Sequence, residues 1–128
     1  MKDVYENSID LRTELIKYVN RRIIVRGRFS GYSYDHGVTE FEKIAFERTI
    51  LFTDIRSVKG DLLSDHMWLH SKKFDKEFGE LKSGDIVEFC TVPKYYSKYK
   101  NKVYIKNELV RVNTLNIGFE KIENIWKV

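Results

Sequence analysis

The sequence predicts a mainly β domain built as a small barrel. Alternating apolar and polar residues mark several short strands, glycines interrupt the first long strand, and one short helix separates the first three strands from the last two. The chain has 128 residues with seven glycines and one proline, which is enough to bury a core and leaves no low-complexity linker. We expect one domain, with a helix at 1–20, the barrel at 21–112 and an extension at 113–128.

The amino-terminal part of this domain combines a helix and a kinked strand. Apolar residues recur at helical spacing from Ser8 to Asn20, which predicts a short amphipathic helix that plugs one end of the barrel. The segment from Arg21 to Tyr34 is typical of a long strand. Gly27 and Gly31 interrupt its alternation, as glycines do at bulges and barrel bends.

The middle of the chain predicts two more strands and a helix. The strands cover Arg48 to Val58 and Asp65 to Ser71, and the helix covers Lys72 to Leu81, stopped by Gly79. The stretch 35–46 predicts an irregular connection, with a further short strand at FEKIAF as the alternative.

The central feature of the predicted structure is a β-hairpin from Gly84 to Val110. Its arms are expected at Asp85 to Val92 and at Val103 to Val112, and Pro93 is expected to end regular pairing. The tip, 94–102, contains four lysines, three tyrosines and no acidic residue. Such a tip suits a phosphate backbone with exposed bases, although a charged tip can also simply keep a sheet edge soluble.

The predicted order of strand, strand, strand, helix, strand, strand is that of the OB-fold, a five-stranded Greek-key barrel with its helix between strands 3 and 4. OB barrels use the loop between their last two strands on nucleic acid. In the tail after Asn113, Ile122, Ile125 and Trp126 lie near helical spacing. We expect this extension to pack against the barrel, with a dimer or partner contact as the alternative.

Three segments carry a resemblance to a known group of proteins: TILFTDIRSV, SDHMWLHSKKF and LKSGDIVEFCTVPKYYSKY. The chain resembles small stand-alone OB-fold nucleic-acid-binding proteins of low-GC Gram-positive bacteria and their mobile elements. The resemblance implies an OB barrel and, by association with its class, nucleic-acid binding. A replication or recombination protein is a further expected partner.

Composition narrows the function classes. The net charge of +4 is compatible with an acidic partner, and the single cysteine, Cys90, excludes an internal disulfide and a cysteine-rich zinc site. His66 and His70 on a strand lie about 13 Å apart, too far to chelate one ion. The chain lacks catalytic motifs and long apolar runs, so we expect a cytoplasmic, non-enzymatic protein without cofactor, metal or membrane contact.

These observations predict a protein that binds single-stranded nucleic acid with little sequence preference, DNA being favoured over RNA. Lysine and arginine would contact phosphates, and aromatic rings would stack on bases. The candidate binding residues are Arg26, Arg28, Phe52, Trp68, Lys94, Tyr95, Tyr96, Lys98, Tyr99, Lys100, Lys102 and Tyr104. The alternative is a protein-interaction module, either an accessory subunit or an inhibitor of a host enzyme, belonging to a mobile element.

Overall fold

The computed structural model describes the backbone of residues 2–6, 12–34, 48–105 and 108–128, and the side chains of residues 12–34, 48–96 and 115–128. These residues form six strands and two short helices. The strands are β1 (Lys2–Glu6), β2 (Ile23–Ser33), β3 (Thr49–Ser57), β4 (Leu62–His70), β5 (Ile86–Ile105) and β6 (Glu108–Lys127). A 3-10 helix covers Thr13–Tyr18, and the α-helix α1 covers Lys72–Phe78. The predicted mainly β class is confirmed.

All six strands belong to one sheet, in the order β1-β6-β5-β2-β3-β4. β2 to β6 form its five-stranded antiparallel part, and β1 adds in parallel to β6. Across the described ranges β4 and β6 do not pair, so the sheet stays open between them. The 3-10 helix packs on β4 and β5 and buries Leu15 completely.

The core lies on one face of the sheet and is built around three phenylalanines. Phe52 of β3, Phe74 of α1 and Phe89 of β5 meet with ring centroids 5.1, 5.8 and 5.4 Å apart. Burial of each ring stabilises the fold by ~1.5–3 kcal/mol. The other buried apolar side chains come from the 3-10 helix, from β2 to β6 and from the segment after α1, so the core ties the antiparallel strands into one unit.

β2 and β3 bend where the ladder between them is irregular. The register shifts between the Arg26 and Arg28 pairs, where Asp54 and Ile55 of β3 together face Gly27 of β2, and again between the Phe29 and Gly31 pairs. A side chain at Gly27 would place its Cβ 3.0 Å from the Phe52 Cβ, so the close packing of β2 over that ring requires glycine. β2 continues without a break through both glycines, and the irregularities predicted at Gly27 and Gly31 are present as register shifts in the β2–β3 ladder.

The amino-terminal helix differs from the prediction. Residues 7–11 lie outside the described ranges, and the helical part is a 3-10 helix of six residues. Leu15 is buried in the core, whereas Ile16, predicted on the same face, is 44% exposed. A 3-10 helix has three residues per turn, which narrows the face that can reach the core. The predicted short strand FEKIAF also lies outside the described residues.

The central hairpin is real, but its predicted boundaries are wrong. β5 runs through Pro93 to Ile105 and pairs with β6 along its length, so the backbone of 94–102 is strand and not a loop. In a strand, the N–H and C=O of one residue point to the same side. The Pro93 carbonyl accepts a hydrogen bond from the Asn20 N–H at 2.9 Å, so the side where proline lacks its donor faces away from β6. The missing N–H of Pro93 therefore removes no hydrogen bond from the β5–β6 ladder.

The carboxy-terminal extension is the second arm of that hairpin. β6 pairs Val87 with Lys127 and Val92 with Glu120, so the predicted second arm, Val103 to Val112, is not the partner of the first. The expectation that the tail packs against the sheet agrees with the burial of Ile117 and Phe119. Its structure is strand, however, and not helix-like.

Candidate nucleic-acid interface

One face of β2, β3 and β4 carries arginine and aromatic side chains opposite the core. Arg28 pairs in register with Thr53, which pairs in turn with His66. In the next row Trp68 of β4 is the partner of Leu51. We call this surface the outer face. It brings together three sequence-predicted residues: Arg26, Arg28 and Trp68.

The charge of Arg28 is not compensated on this face. Its side chain is exposed and has no hydrogen-bond or ion-pair partner among the described residues. Arg26, two residues away on β2, donates from Nε to Glu88 at 2.9 Å and keeps 48% of its side chain exposed. The outer face is therefore positive around Arg28, with Trp68 in the next row as a partly exposed ring.

Arg12 joins the outer face to the base of the hairpin. Its Nε donates to the Ser64 hydroxyl at 3.1 Å and its Nη2 to the His66 carbonyl at 3.2 Å, both on β4. Its Nη1 donates to the Ile117 carbonyl of β6 at 3.0 Å and reaches the Tyr96 hydroxyl of β5 at 3.5 Å. Arg12 thus bridges the opening between β4 and β6.

All four of these acceptors are neutral, so among the described residues nothing compensates the positive charge of Arg12 beside the outer face. Sequence reasoning missed Arg12 because an arginine at the start of an amphipathic helix is typical of a solvated polar face. No local pattern marks it as a bridge between distant strands.

The tyrosines at the base of the hairpin are accessible but lie on opposite sides of β5. Tyr95 is 45% exposed and pairs with Ile117, whereas Tyr96 is 42% exposed and pairs with Asn116. The Tyr96 ring lies against Gly118, where an added Cβ would be 3.3 Å from the ring. A single strand lying on one side of the hairpin would therefore reach only one of these two rings.

The remaining predicted residues fall into three groups. Phe52 does not belong to the interface: it is fully buried, because β3 turns it toward the core and places Leu51 and Thr53 outside. Lys94 donates to the Asn20 side chain at 2.8 Å and is partly exposed. The others lie on the β5 backbone, but their side chains are outside those described: Lys98, Tyr99, Lys100, Lys102 and Tyr104.

Two other arginines, Arg48 and Arg22, are each paired with carboxylates. Arg48 forms a fork of two hydrogen bonds to Asp75 at 2.8 and 3.1 Å, and this pairing raises the pKa of its guanidinium above the ordinary value. On β6, Glu123 lies 3.0 Å from Arg22, and the hydrogen bond from that arginine lowers the pKa of the Glu123 carboxyl. These pairs explain local structure without requiring a ligand.

Within the described ranges, no three His, Cys, Asp or Glu side chains cluster in a way that could hold a metal ion. Cys90 is partly buried in β5, with the Asn124 amide 3.7 Å from its sulfur. The described helices are also too short or too polar to cross a bilayer.

With this geometry established, the chain was compared with known proteins. No family model, curated protein or solved structure matches it. The function must therefore be argued from the outer face and the hairpin themselves.

Proposed function

We propose that this protein binds single-stranded nucleic acid, DNA in preference to RNA, with little sequence preference and without catalysing a reaction. The observation that carries the proposal is the outer face, where Arg28 has no carboxylate partner among the described residues and Trp68 lies in the next row on the same side of the sheet. Arg12, whose acceptors among the described residues are all neutral, extends the positive surface to Tyr96.

In the proposed mechanism, charged side chains contact the phosphates and aromatic rings stack on the bases. Guanidinium and ammonium groups neutralise phosphates and release counterions, which makes affinity fall with salt. Aromatic rings stack on bases, each contributing about 1 to 3 kcal/mol, and this contact needs a base face that a paired duplex hides. Neither contact reads base edges, so sequence preference is weak.

The fold we propose for this function is an OB barrel. Its support is the antiparallel strand order β6-β5-β2-β3-β4, with α1 between the third and fourth of these strands along the chain and a partly open sheet. The barrel would present β3 and β4 to the ligand and the β5–β6 hairpin beside it. Resemblance to OB-fold proteins of Gram-positive mobile elements fits a cytoplasmic role beside a replication or recombination protein.

The stacking part is tested by replacing Tyr95, Tyr96 and Tyr99 together. The triple change to alanine should weaken binding of a labelled single strand at least about tenfold, because it removes the stacking ring on whichever side of the hairpin the strand lies. The matched control is the triple change to phenylalanine, which keeps the rings and should keep the affinity. Equal affinity of the alanine and wild-type proteins would exclude stacking by the hairpin.

A protein-interaction module is the second candidate, favoured by exposed apolar side chains on β2 and β6, on the same side of the sheet as Arg26. Trp126 of β6 is 59% exposed and Ile24 of β2 is 44% exposed. A Trp126→Ala variant that keeps its affinity for single strands but loses a stable complex with a replication or recombination protein would decide for this function.

A further inference from the structure

Two arginines face each other directly in the β2–β3 ladder. Arg26 and Arg56 are register partners in this antiparallel pair, and both side chains are accessible, 48% and 44% exposed. Like charges directly opposite on one sheet face destabilise a strand pair unless something compensates them. Arg26 is one of the site residues predicted from the sequence, whereas Arg56 is not.

Each arginine is held from the side by a different carboxylate. Glu88 accepts from the Arg26 Nε at 2.9 Å, and Asp54 accepts from the Arg56 Nε at 2.8 Å. Arg56 Nη1 also donates to the Gly60 carbonyl at 2.8 Å. Both Nη groups of Arg26 and the Nη2 of Arg56 keep donors that no described residue uses. The carboxylates thus fix the two side chains through Nε and leave forked N–H groups available.

Both arginines line a cleft. An open cavity of about 210 Å³ has Arg26 and Arg56 in its wall, together with Asp54 and the backbone of Gly27 and Gly60. The β2–β3 pairing beside it is irregular, and Asp54 there adopts a left-handed conformation with φ of 49°. Arg28 lies two residues from Arg26 on the same side of β2, so Arg26 connects the cleft with the outer face.

We propose that this cleft is a phosphate subsite, in which Arg26 and Arg56 together bind one phosphodiester of the single strand, an inference that rests on the proposed function. A phosphate accepts forked hydrogen bonds from two guanidiniums and removes the repulsion between them. The strand continues from this phosphate past Arg28 toward Trp68. Asp54 competes with the phosphate for Arg56, so it weakens binding at this position.

The first arm of the test uses inorganic phosphate and needs no nucleic acid. In ¹⁵N-resolved NMR, phosphate added at constant ionic strength should shift the Arg26 and Arg56 Nε–H signals in a saturable way, and chloride should not. An absence of saturable shifts at these two signals would overturn the subsite, whether or not the protein binds a strand.

The second arm measures single-stranded DNA affinity across salt concentrations. Arg56→Gln should weaken binding about threefold to tenfold and reduce the log-log salt slope by about one. Lys59→Gln removes the same charge in the neighbouring turn and should change both values much less. A different outcome is that phosphate shifts the two signals while Arg56→Gln and Lys59→Gln change affinity and salt slope equally. In that case the cleft binds free phosphate, and the proposal that it binds a phosphodiester of the strand is wrong.

A third variant keeps the proposal testable if Arg56→Gln does not fold. Asp54→Asn removes the competing charge while keeping a residue that tolerates the left-handed conformation. It should tighten strand binding more than Asp61→Asn, which removes an equal charge after the Gly60 turn. Equal effects of these two variants would contradict a role for Arg56 in the cleft. If the wild-type protein binds no strand at all, the proposed function fails, and only the phosphate arm decides whether the cleft binds anions.

Discussion

Arg48 and Arg28 lie near the surface of the same sheet and have opposite surroundings. Arg48 pairs with Asp75 and Glu80, its guanidinium carbon lies 3.8 Å from the centre of the Tyr32 ring, and only 18% of its side chain is exposed. Arg28 is exposed and has no carboxylate partner in the described part of the chain. The comparison separates a charge that the fold uses for its own stability from one that is available to a ligand.

The largest effect on stability should come from replacing Arg48, the arginine that is paired with carboxylates. Arg48→Ala removes a fork of charge-assisted hydrogen bonds and a cation–π contact, and should lower the free energy of unfolding by about 2 kcal/mol. Affinity for single strands should be preserved in the folded fraction. Urea denaturation of both proteins measures the difference, and Arg28→Ala, expected within about 0.5 kcal/mol of wild type, is the matched control. Equal stability of the two variants would contradict the distinction between them.

Removing the unpaired arginine should produce the opposite pattern. Arg28→Gln should leave the urea midpoint nearly unchanged, while affinity falls about threefold to tenfold and the salt slope decreases by about one, because one phosphate contact is lost. Titrations of a labelled strand at several salt concentrations provide both numbers. A loss of affinity without any change in slope would indicate that Arg28 acts through the fold instead.

The smallest effect concerns the exposed pair of Arg22 and Glu123. The pKa of Glu123 is lowered in the folded protein, so the pair stabilises the fold above the unfolded pKa of about 4.3 and loses this effect as the pH falls through the folded value. Both side chains are about half exposed, so the contribution is small. Thermal unfolding of wild type and Glu123→Gln should differ slightly at pH 7 and converge near pH 3. A constant difference would exclude this ionisation.

How far the sequence predicts the structure depends on how regular the pairing is. Simple alternation located β2, β3, β4 and α1 within a few residues. The part of β6 after Val112 was missed because Lys121 and Asn124 adopt left-handed conformations beside register shifts. These bulges turn every third residue inward and imitate the spacing of a helix.

The residues of the candidate interface could be predicted from the sequence only where they lie together on one strand. Arg26 and Arg28 follow from alternation along β2. Phe52 was misassigned because alternation gives two faces but does not say which one is buried. Arg12 and Arg56 were not selected, because their importance comes from partners 52 to 105 residues away for Arg12 and from the β2 register for Arg56.

The most direct test of the central claim is fluorescence anisotropy of labelled single-stranded DNA, single-stranded RNA and duplex DNA with the purified protein at two salt concentrations. We predict tighter binding to single strands than to duplex, DNA ahead of RNA, with a log-log salt slope of roughly −2 to −4 from about three to five neutralised phosphates. No binding at low salt, or duplex bound as tightly as the single strands, would contradict the account.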